Sequence, residues 1–264
     1  MLHIPARLRR FISPMVQAGP VQQAWRNLPL TDAPHLLGSG PLLVLAPHPD
    51  DESLGCGGLM ADCQARGQPV YVLVLTDGSA SHPRSRTHPP SRLAALRAEE
   101  TRTAVAELDV PKDRVDFLAL PDGRAPLRGA PLRATAQRIA EHARARAIRA
   151  ICATWPGDPH LDHVAAYRAA ALAAAIIGAK LFCYPVWGWT LPPDTWVPPT
   201  PSRGGRIDIT PFVAAKQRAI ACHRSQASGL IQDDPDGFQL DAEFLAHFRY
   251  PYEVFIDASA DTQQ

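Results

Sequence analysis

The chain has 264 residues, of which 46% are hydrophobic and 20% charged, and 27 Lys and Arg against 26 Asp and Glu leave a formal net charge of +1. This composition suits a globule with an ordinary buried core and excludes collagen, disordered and disulfide-scaffold classes. The charge balance gives no general pull toward nucleic acid or an anionic membrane, and no apolar run approaches the roughly 18 residues that span a bilayer.

Five cysteines, at 56, 63, 152, 183 and 222, are an odd count without a C-x-x-C pair. They read as small core residues in a reducing compartment, and the expected location is the cytoplasm. The opening residues carry Arg7, Arg9, Arg10 and Phe11 but no apolar h-region or small-residue cleavage site, so they do not read as a signal peptide. Residues 1–36 read as an N-terminal extension of unassigned role, with a weak membrane-surface contact as one candidate. Residues 37–260 read as one domain.

In chain order, residues 42–46 form a short continuous apolar run bounded by Pro and Gly, the pattern of a fully buried strand. A glycine-rich turn and a helix over 57–66 follow. Residues 70–76 (V-Y-V-L-V-L-T) make a second buried strand. Residues 91–108 predict a helix capped by Ser91, with apolar positions 93, 96, 104, 105 and 108. A strand over 115–120, a helix over 132–147, a strand over 150–154, an Ala-rich helix over 161–177 and a strand over 180–186 complete the series. Strands alternating with helices of this length predict an α/β fold: a Rossmann-like, doubly wound, mostly parallel sheet with helices on both faces, in a single domain.

Such sheets bind ligands beyond the carboxyl ends of their strands, at the point where strand order reverses. Chemistry-bearing residues cluster there. Pro47-His-Pro-Asp-Asp-Glu52 follows the first strand, Asp77 the second, Asp122 the third and Asp158-Pro-His-Leu-Asp-His163 the fourth. His48 and Asp51, three residues apart, suit a shared grip on a divalent metal, and Asp50 between them remains available as a base. Three adjacent carboxylates repel one another unless a cation offsets them. The competing reading is an acidic helix N-terminus. With His163, the set becomes two histidines and one carboxylate with an open fourth position, the arrangement of a catalytic Zn2+ site that Fe2+ also accepts. Asp77 and Asp122 read equally well as turn formers, and Arg97 with Glu100 as an i,i+3 surface pair. The long segments 78–90, with Arg84 and Arg86, and 187–206, with Trp187, Trp189 and Trp196, read as lids or as mobile surface excursions.

These motifs resemble the LmbE-like, or PIG-L, family of zinc-dependent N-acetylglucosamine deacetylases. The resemblance rests on Ala46-Pro-His-Pro-Asp-Asp-Glu52, Thr76-Asp-Gly78, Arg97-Ala-Glu-Glu100, the stretch 117–123, and His160-Leu-Asp-His163 with Leu161 in place of the usual Pro. Ile207-Asp-Ile209, Lys216 and His223-Arg-Ser-Gln226 extend it, so that it covers about residues 40 to 245. It implies His48, Asp51 and His163 as zinc ligands, Asp50 as the general base toward a metal-activated water, and His160 as the residue that assists the tetrahedral intermediate and leaving amine. Asp162 would orient a neighbouring histidine. Arg97, Glu100, Asp77, Asp122, Asp158, His223 and Gln226 would contact substrate or support the crevice. A tyrosine that some members place near the second box is not evident.

The expected function is therefore removal of an N-acetyl group from a GlcNAc-containing small molecule or glycoconjugate; the resembled family includes inositol-linked, malate-linked and oligosaccharide substrates. Alternatives are an amidase acting on another acyl group and a non-catalytic sugar- or nucleotide-binding module. The latter is disfavoured because Gly55-Cys-Gly57-Gly58 lacks G-x-G-x-x-G and adjoins three carboxylates. No nucleic-acid partner is expected, and the sequence is compatible with a homo-oligomer.

Overall fold

Residues 15–200 and 203–259 are described by a computed structural model, so Arg7, Arg9, Arg10 and Phe11 lie outside the described residues. The N-terminal part runs β1 (Val16–Gln17), α1 (Ala18–Arg26), β2 (Leu30–Thr31) and α2 (Ala33–Leu37). The alternating series follows as β3 (Leu42–Ala46), α3 (Asp51–Ala65), β4 (Val70–Thr76), α4 (Pro90–Ala106), β5 (Val115–Leu120), α5 (Gly129–Ala145), β6 (Ala150–Thr154), α6 (Leu161–Ile177) and β7 (Lys180–Tyr184). The C-terminal part adds β8 (Trp196–Val197), β9 (Gly204–Asp208), α7 (Val213–Cys222), α8 (Arg224–Ala227), α9 (Ala242–Ala246) and β10 (Tyr252–Asp257).

The main sheet has the order β2-β9-β10-β7-β6-β3-β4-β5. The five strands read from the sequence, β7 to β5 in that order, are mutually parallel. β10 joins antiparallel to both β7 and β9, and β2 pairs parallel with β9. β1 and β8 form a separate antiparallel ribbon. This is a single α/β domain with a mixed, mostly parallel sheet. From β3 the chain moves outward to β4 and β5, then returns to β6 on the other side of β3. The reversal therefore falls between β3 and β6, and right-handed crossovers place α3 and α4 on the face opposite α5 and α6. Accordingly α5 packs on α6, while α3 and α4 both pack on α7. β3 and β6 are buried along their whole length, as their uninterrupted apolar sequences require.

Several boundaries shift by one to three residues, among them α5 at 129–145 and β7 ending at 184, and two helix starts are informative. The first helix begins at Asp51, not 57, so Gly55, Gly57 and Gly58 lie inside it. Their role is close approach: a methyl group on Gly55 would overlap the Tyr184 ring of β7, and one on Gly58 would sit 2.5 Å from Ile209 Cδ1. Second, α4 starts at Pro90 with Pro89 as its N-cap, so Ser91 is inside the helix. Pro at the first helical position supplies a fixed φ where no N–H partner is available.

Residues ahead of position 37 contribute to the same core. Trp25 is 2% exposed and packs edge-on against Trp155 and Trp189, at centroid distances of 4.8 and 5.1 Å. No helix among the described residues is long and apolar enough to cross a membrane.

Candidate active site

At the end of β3 the chain turns sharply into α3. Asp51 Oδ2 accepts the His48 N–H at 3.0 Å and lies 3.2 Å from His48 Nδ1, so this carboxylate ties the loop to the first helical turn. Asp50 holds φ 145°, a conformation L side chains rarely adopt. Several contacts hold it there. Glu52 Oε2 accepts its N–H at 3.0 Å, and its carbonyl accepts the N–H groups of Ser53 and Leu54. Arg97, 3% exposed on α4, donates through Nη2 to Asp50 Oδ2 at 3.0 Å and to Pro49 O at 2.8 Å, and through Nη1 to Gly78 O.

From the end of β6 the second box arrives. His160 caps α6, its Nδ1 accepting the Asp162 N–H at 3.2 Å. His163 is fully buried. Its Nδ1 stands 2.9 Å from Asp158 Oδ2, and its Nε2 lies 3.3 Å from Asp51 Oδ2. Asp162 turns away from His160 and toward His48, with Oδ2 3.2 Å from Nε2, and its two oxygens accept the N–H groups of Gly123 and Ala125. The histidine it orients is thus His48. Asp122 Oδ1 approaches the same His48 nitrogen at 3.3 Å.

The electrostatics follow from this crowding. Burial opposes charge on His48, yet the carboxylates of Asp122, Asp162 and Asp51 raise its pKa well above the ordinary value. Burial likewise works against His163, and Asp51 and Asp158 still hold it up at about 9. Burial pushes Asp50 up to about 6 against the pull of Arg97. Asp122, despite its own burial, is held down at about 2 by His48 and the Ala80 N–H. The carboxylates thus create a field that favours positive charge on or between the imidazoles.

The donor set fits a divalent cation. With Nδ1 of His163 facing Asp158, Nε2 of the neutral ring carries the lone pair, and that buried atom makes no hydrogen bond. A lone pair facing a carboxylate at 3.3 Å needs a proton or a metal between them. Asp51 touches both His48 and His163, the set expected from the sequence. Among the described residues, the groups whose donor atoms all lie within 4.8 Å of one another are instead His48, His160 and His163, and His48, Asp122 and Asp162. All share His48. Imidazole and carboxylate together suit zinc or iron.

The remaining candidates form the surroundings. Asp77 Oδ1 accepts the N–H groups of Ser79 and Asp122, a turn role that positions Asp122. Arg97 and Glu100 do not pair with each other: Glu100 points to Ser225, accepting its N–H at 2.8 Å and its hydroxyl at 2.6 Å. His223 Nε2 lies 3.1 Å from Glu52 Oε1 and from Ser53 Oγ, behind the turn that carries His48 and Asp50. Gln226 Nε2 donates to the hydroxyls of Ser81 and Ser225. Neither residue lines the cavity in front of the cluster, which has a volume of about 460 Å3.

The segment 78–90 is anchored. Asp233 accepts bonds from Ser85, Arg86 and Thr87, and Asp234 accepts the Arg84 N–H. The segment 187–206 divides its tryptophans: Trp189 packs in the core, Trp187 lines the cavity and Trp196 is exposed. Sequence reasoning missed Phe238, Leu240 and Phe244, which complete the cavity wall. It also missed the buried pair Lys216–Glu253, at 2.7 Å, whose carboxylate accepts the N–H groups of Gly58 and Leu59. Phe238 and Leu240 lie in an irregular segment and Phe244 in the five-residue α9, too short for a periodic pattern to show which way a side chain faces.

A mostly parallel sheet with histidines and carboxylates gathered at its switch point defines the class, an α/β domain of the LmbE-like fold. Residues 43–174 match the family described as PIG-L, GlcNAc-PI de-N-acetylase, and the chain belongs to this family of deacetylases. No curated protein sequence matches it. Among solved structures, it is similar to the N,N'-diacetylchitobiose deacetylase from Pyrococcus horikoshii, at 16% identity and TM-score 0.63, over 100% of this chain and 97% of the other. The conserved protein TT1542 from Thermus thermophilus is 27% identical at TM-score 0.58, over 82% of this chain and 94% of that one. GalB, the 4-carboxy-2-hydroxymuconate hydratase from Pseudomonas putida KT2440, is 22% identical at TM-score 0.54, over 69% and 78%. At their identities the first and third of these speak to the fold.

Proposed function

We propose that the chain is a metal-dependent hydrolase that removes the acetyl group from an N-acetylated amino sugar, in a small molecule or a glycoconjugate, with His48, Asp51 and His163 holding Zn2+ or, in the same set, Fe2+. The observation that carries this reading is Asp51 Oδ2 lying 3.2 Å from His48 Nδ1 and 3.3 Å from His163 Nε2, with Asp50 next to it in sequence and lining the same cavity. The family match, which spans both boxes, supports the reaction class. Four buried free cysteines accord with a reducing compartment such as the cytoplasm.

A divalent ion so held would supply an acidified water and polarise the amide carbonyl. Asp50, placed near neutrality by burial and fixed by Arg97, takes the proton as the water attacks. Because His160 Nδ1 is occupied in accepting the Asp162 N–H, Nε2 carries its proton. That N–H stabilises negative charge on the former carbonyl oxygen, and the proton held on Asp50 passes to the amine nitrogen as the C–N bond breaks, so that acetate and free amine leave and the carboxylate is restored. Asp158 fixes the ring of His163, and Asp162 that of His48. Asp50→Ala is expected to retain metal and lose about a hundredfold or more in kcat. Near-normal kcat in that variant would remove Asp50 as the base.

A further inference from the structure

We propose that the cavity selects amino sugars bearing an uncharged, apolar substituent and rejects anionic ones, an inference that rests on the deacetylase reading above. Two independent features of the cavity lead there.

The first is its wall. Trp187, following β7, packs against Phe244 and Phe238 with ring centroids 4.8 and 5.5 Å apart. Val186 and Leu240 extend this surface along the same cavity. Trp187 and Phe238 are half-buried, so each leaves a ring face to the cavity, and the buried Phe244 backs them; together they offer more apolar surface than the methyl of an acetyl group needs. The wall is also held in place. Phe238 N–H donates to Ser81 O at 2.8 Å, Leu240 N–H to Gln226 O at 2.8 Å, and Val186 N–H to Asp158 Oδ2 at 3.2 Å. Asp158 is the carboxylate that fixes His163, so wall and cluster share a support and the apolar surface is preformed beside the reacting centre. A preformed apolar surface binds without an ordering cost.

The second feature is charge. Among the described residues lining the cavity, the only Arg or Lys is Arg97, 3% exposed, whose two Nη atoms are engaged by Gly78 O, Pro49 O and Asp50. Arg84, on the neighbouring anchored loop, is paired with Asp234 and Asp236. The carboxylates of Asp50 and Asp236 that face the same space already hold these two guanidinium groups, so neither is free for an anion on the substrate. A phosphate or carboxylate on the substrate would be desolvated without a free cationic side chain to meet it.

The test compares kcat/KM for amine release from the methyl, n-hexyl and 1-phosphate derivatives of N-acetylglucosamine, and from N-hexanoylglucosamine, with the metal-loaded protein and Trp187→Ala. The same protein is titrated with n-hexyl glucoside, methyl glucoside and glucose 1-phosphate by calorimetry. The hexyl glycoside is expected to exceed the methyl glycoside by about tenfold or more in kcat/KM, equivalent to about 1.4 kcal/mol. The phosphate should fall below the methyl glycoside, and Trp187→Ala should bring the hexyl-to-methyl ratio toward one. If N-hexanoylglucosamine alone shows the gain, the apolar group belongs to the acyl side and the selectivity stands. Equal rates for hexyl and methyl glycosides and for the hexanoyl amide, or a preference for the phosphate, would overturn the proposal while leaving deacetylation intact. If no compound releases amine, the deacetylase reading fails; the titrations then decide selectivity alone, with tighter hexyl than methyl binding supporting it and equal or weaker binding overturning it.

Discussion

Asp158 joins two parts of the site through one buried carboxylate: Oδ2 stands 2.9 Å from His163 Nδ1, and Oδ1 accepts the Gly188 N–H at 2.6 Å. The histidine proposed as a ligand is therefore oriented by the same group that anchors the segment bearing Trp187. Partners of this kind fix the tautomer and raise the basicity of a ligating imidazole. Asp158→Asn is expected to weaken Zn2+ binding by about 10–100-fold with the fold retained. Competition with a chromophoric chelator measures this, and unchanged affinity would show that Asp158 does not act through the metal.

The glycines of α3 give a stability prediction. Gly55→Ala forces a methyl into the buried Tyr184 ring, whereas at Gly57 the nearest atom is Lys216 Cγ at 3.0 Å, a contact relieved by a small shift of that side chain. Overpacking a core costs about 1–3 kcal/mol. Urea denaturation should place Gly55→Ala in that range, with Gly57→Ala clearly milder. Equal, small effects would mean that the helix does not depend on this approach.

Arg97 separates two readings of the R-x-x-E spacing. As a surface partner of Glu100 it would contribute a few tenths of a kcal/mol. Buried against Asp50 and two carbonyls, its removal leaves an unpaired internal carboxylate, and Arg97→Met should cost about 3–5 kcal/mol. Arg97→Lys keeps the charge but cannot span all three acceptors, so it should recover only part of the loss. The midpoint of denaturant unfolding at constant m-value reads both.

What the sequence disclosed follows from which forces act locally. Four of the five parallel strands were legible because each is a buried apolar run, the edge strand β5, buried only at Val115, by its apolar residues ahead of Pro121, and the two boxes because His48 to Asp51 and Asp158 to His163 follow strand ends. The start of α3 was not, because three glycines lower local helix propensity and only packing on Tyr184 and Ile209 explains them. β10 was missed because Glu253 interrupts its apolar pattern, and the carboxylate finds its partners in Lys216 and the Gly58 and Leu59 amides, all distant in sequence. The divergence of Arg97 and Glu100, and the turn of Asp162 toward His48 rather than His160, are tertiary facts that i,i+3 or i,i+2 spacing does not contain.

A pH effect is expected away from the site, at His142 on α5. Burial first, and then Arg146, lowers its pKa from 6.5 to about 4, and its buried Nε2 has no acceptor for a proton. The folded pKa is depressed, so between those values the unfolded chain binds the proton that the folded one does not. The stability from the neutral ring is fully present above about 6.5 and is lost as pH falls toward 4. His142→Gln should flatten the stability profile across that window relative to the unaltered chain. Parallel profiles would remove His142 as a source of acid sensitivity.

The most direct measurement of the central claim is release of free amine from a panel of N-acetylglucosaminides by the metal-loaded chain, with the chelator-stripped protein and His163→Ala alongside. The account predicts turnover of at least one compound by the loaded protein, none by the stripped protein until metal is restored, and none by His163→Ala. Turnover that survives both chelation and His163→Ala, or a metal-loaded protein inert toward every N-acetyl sugar, would contradict it.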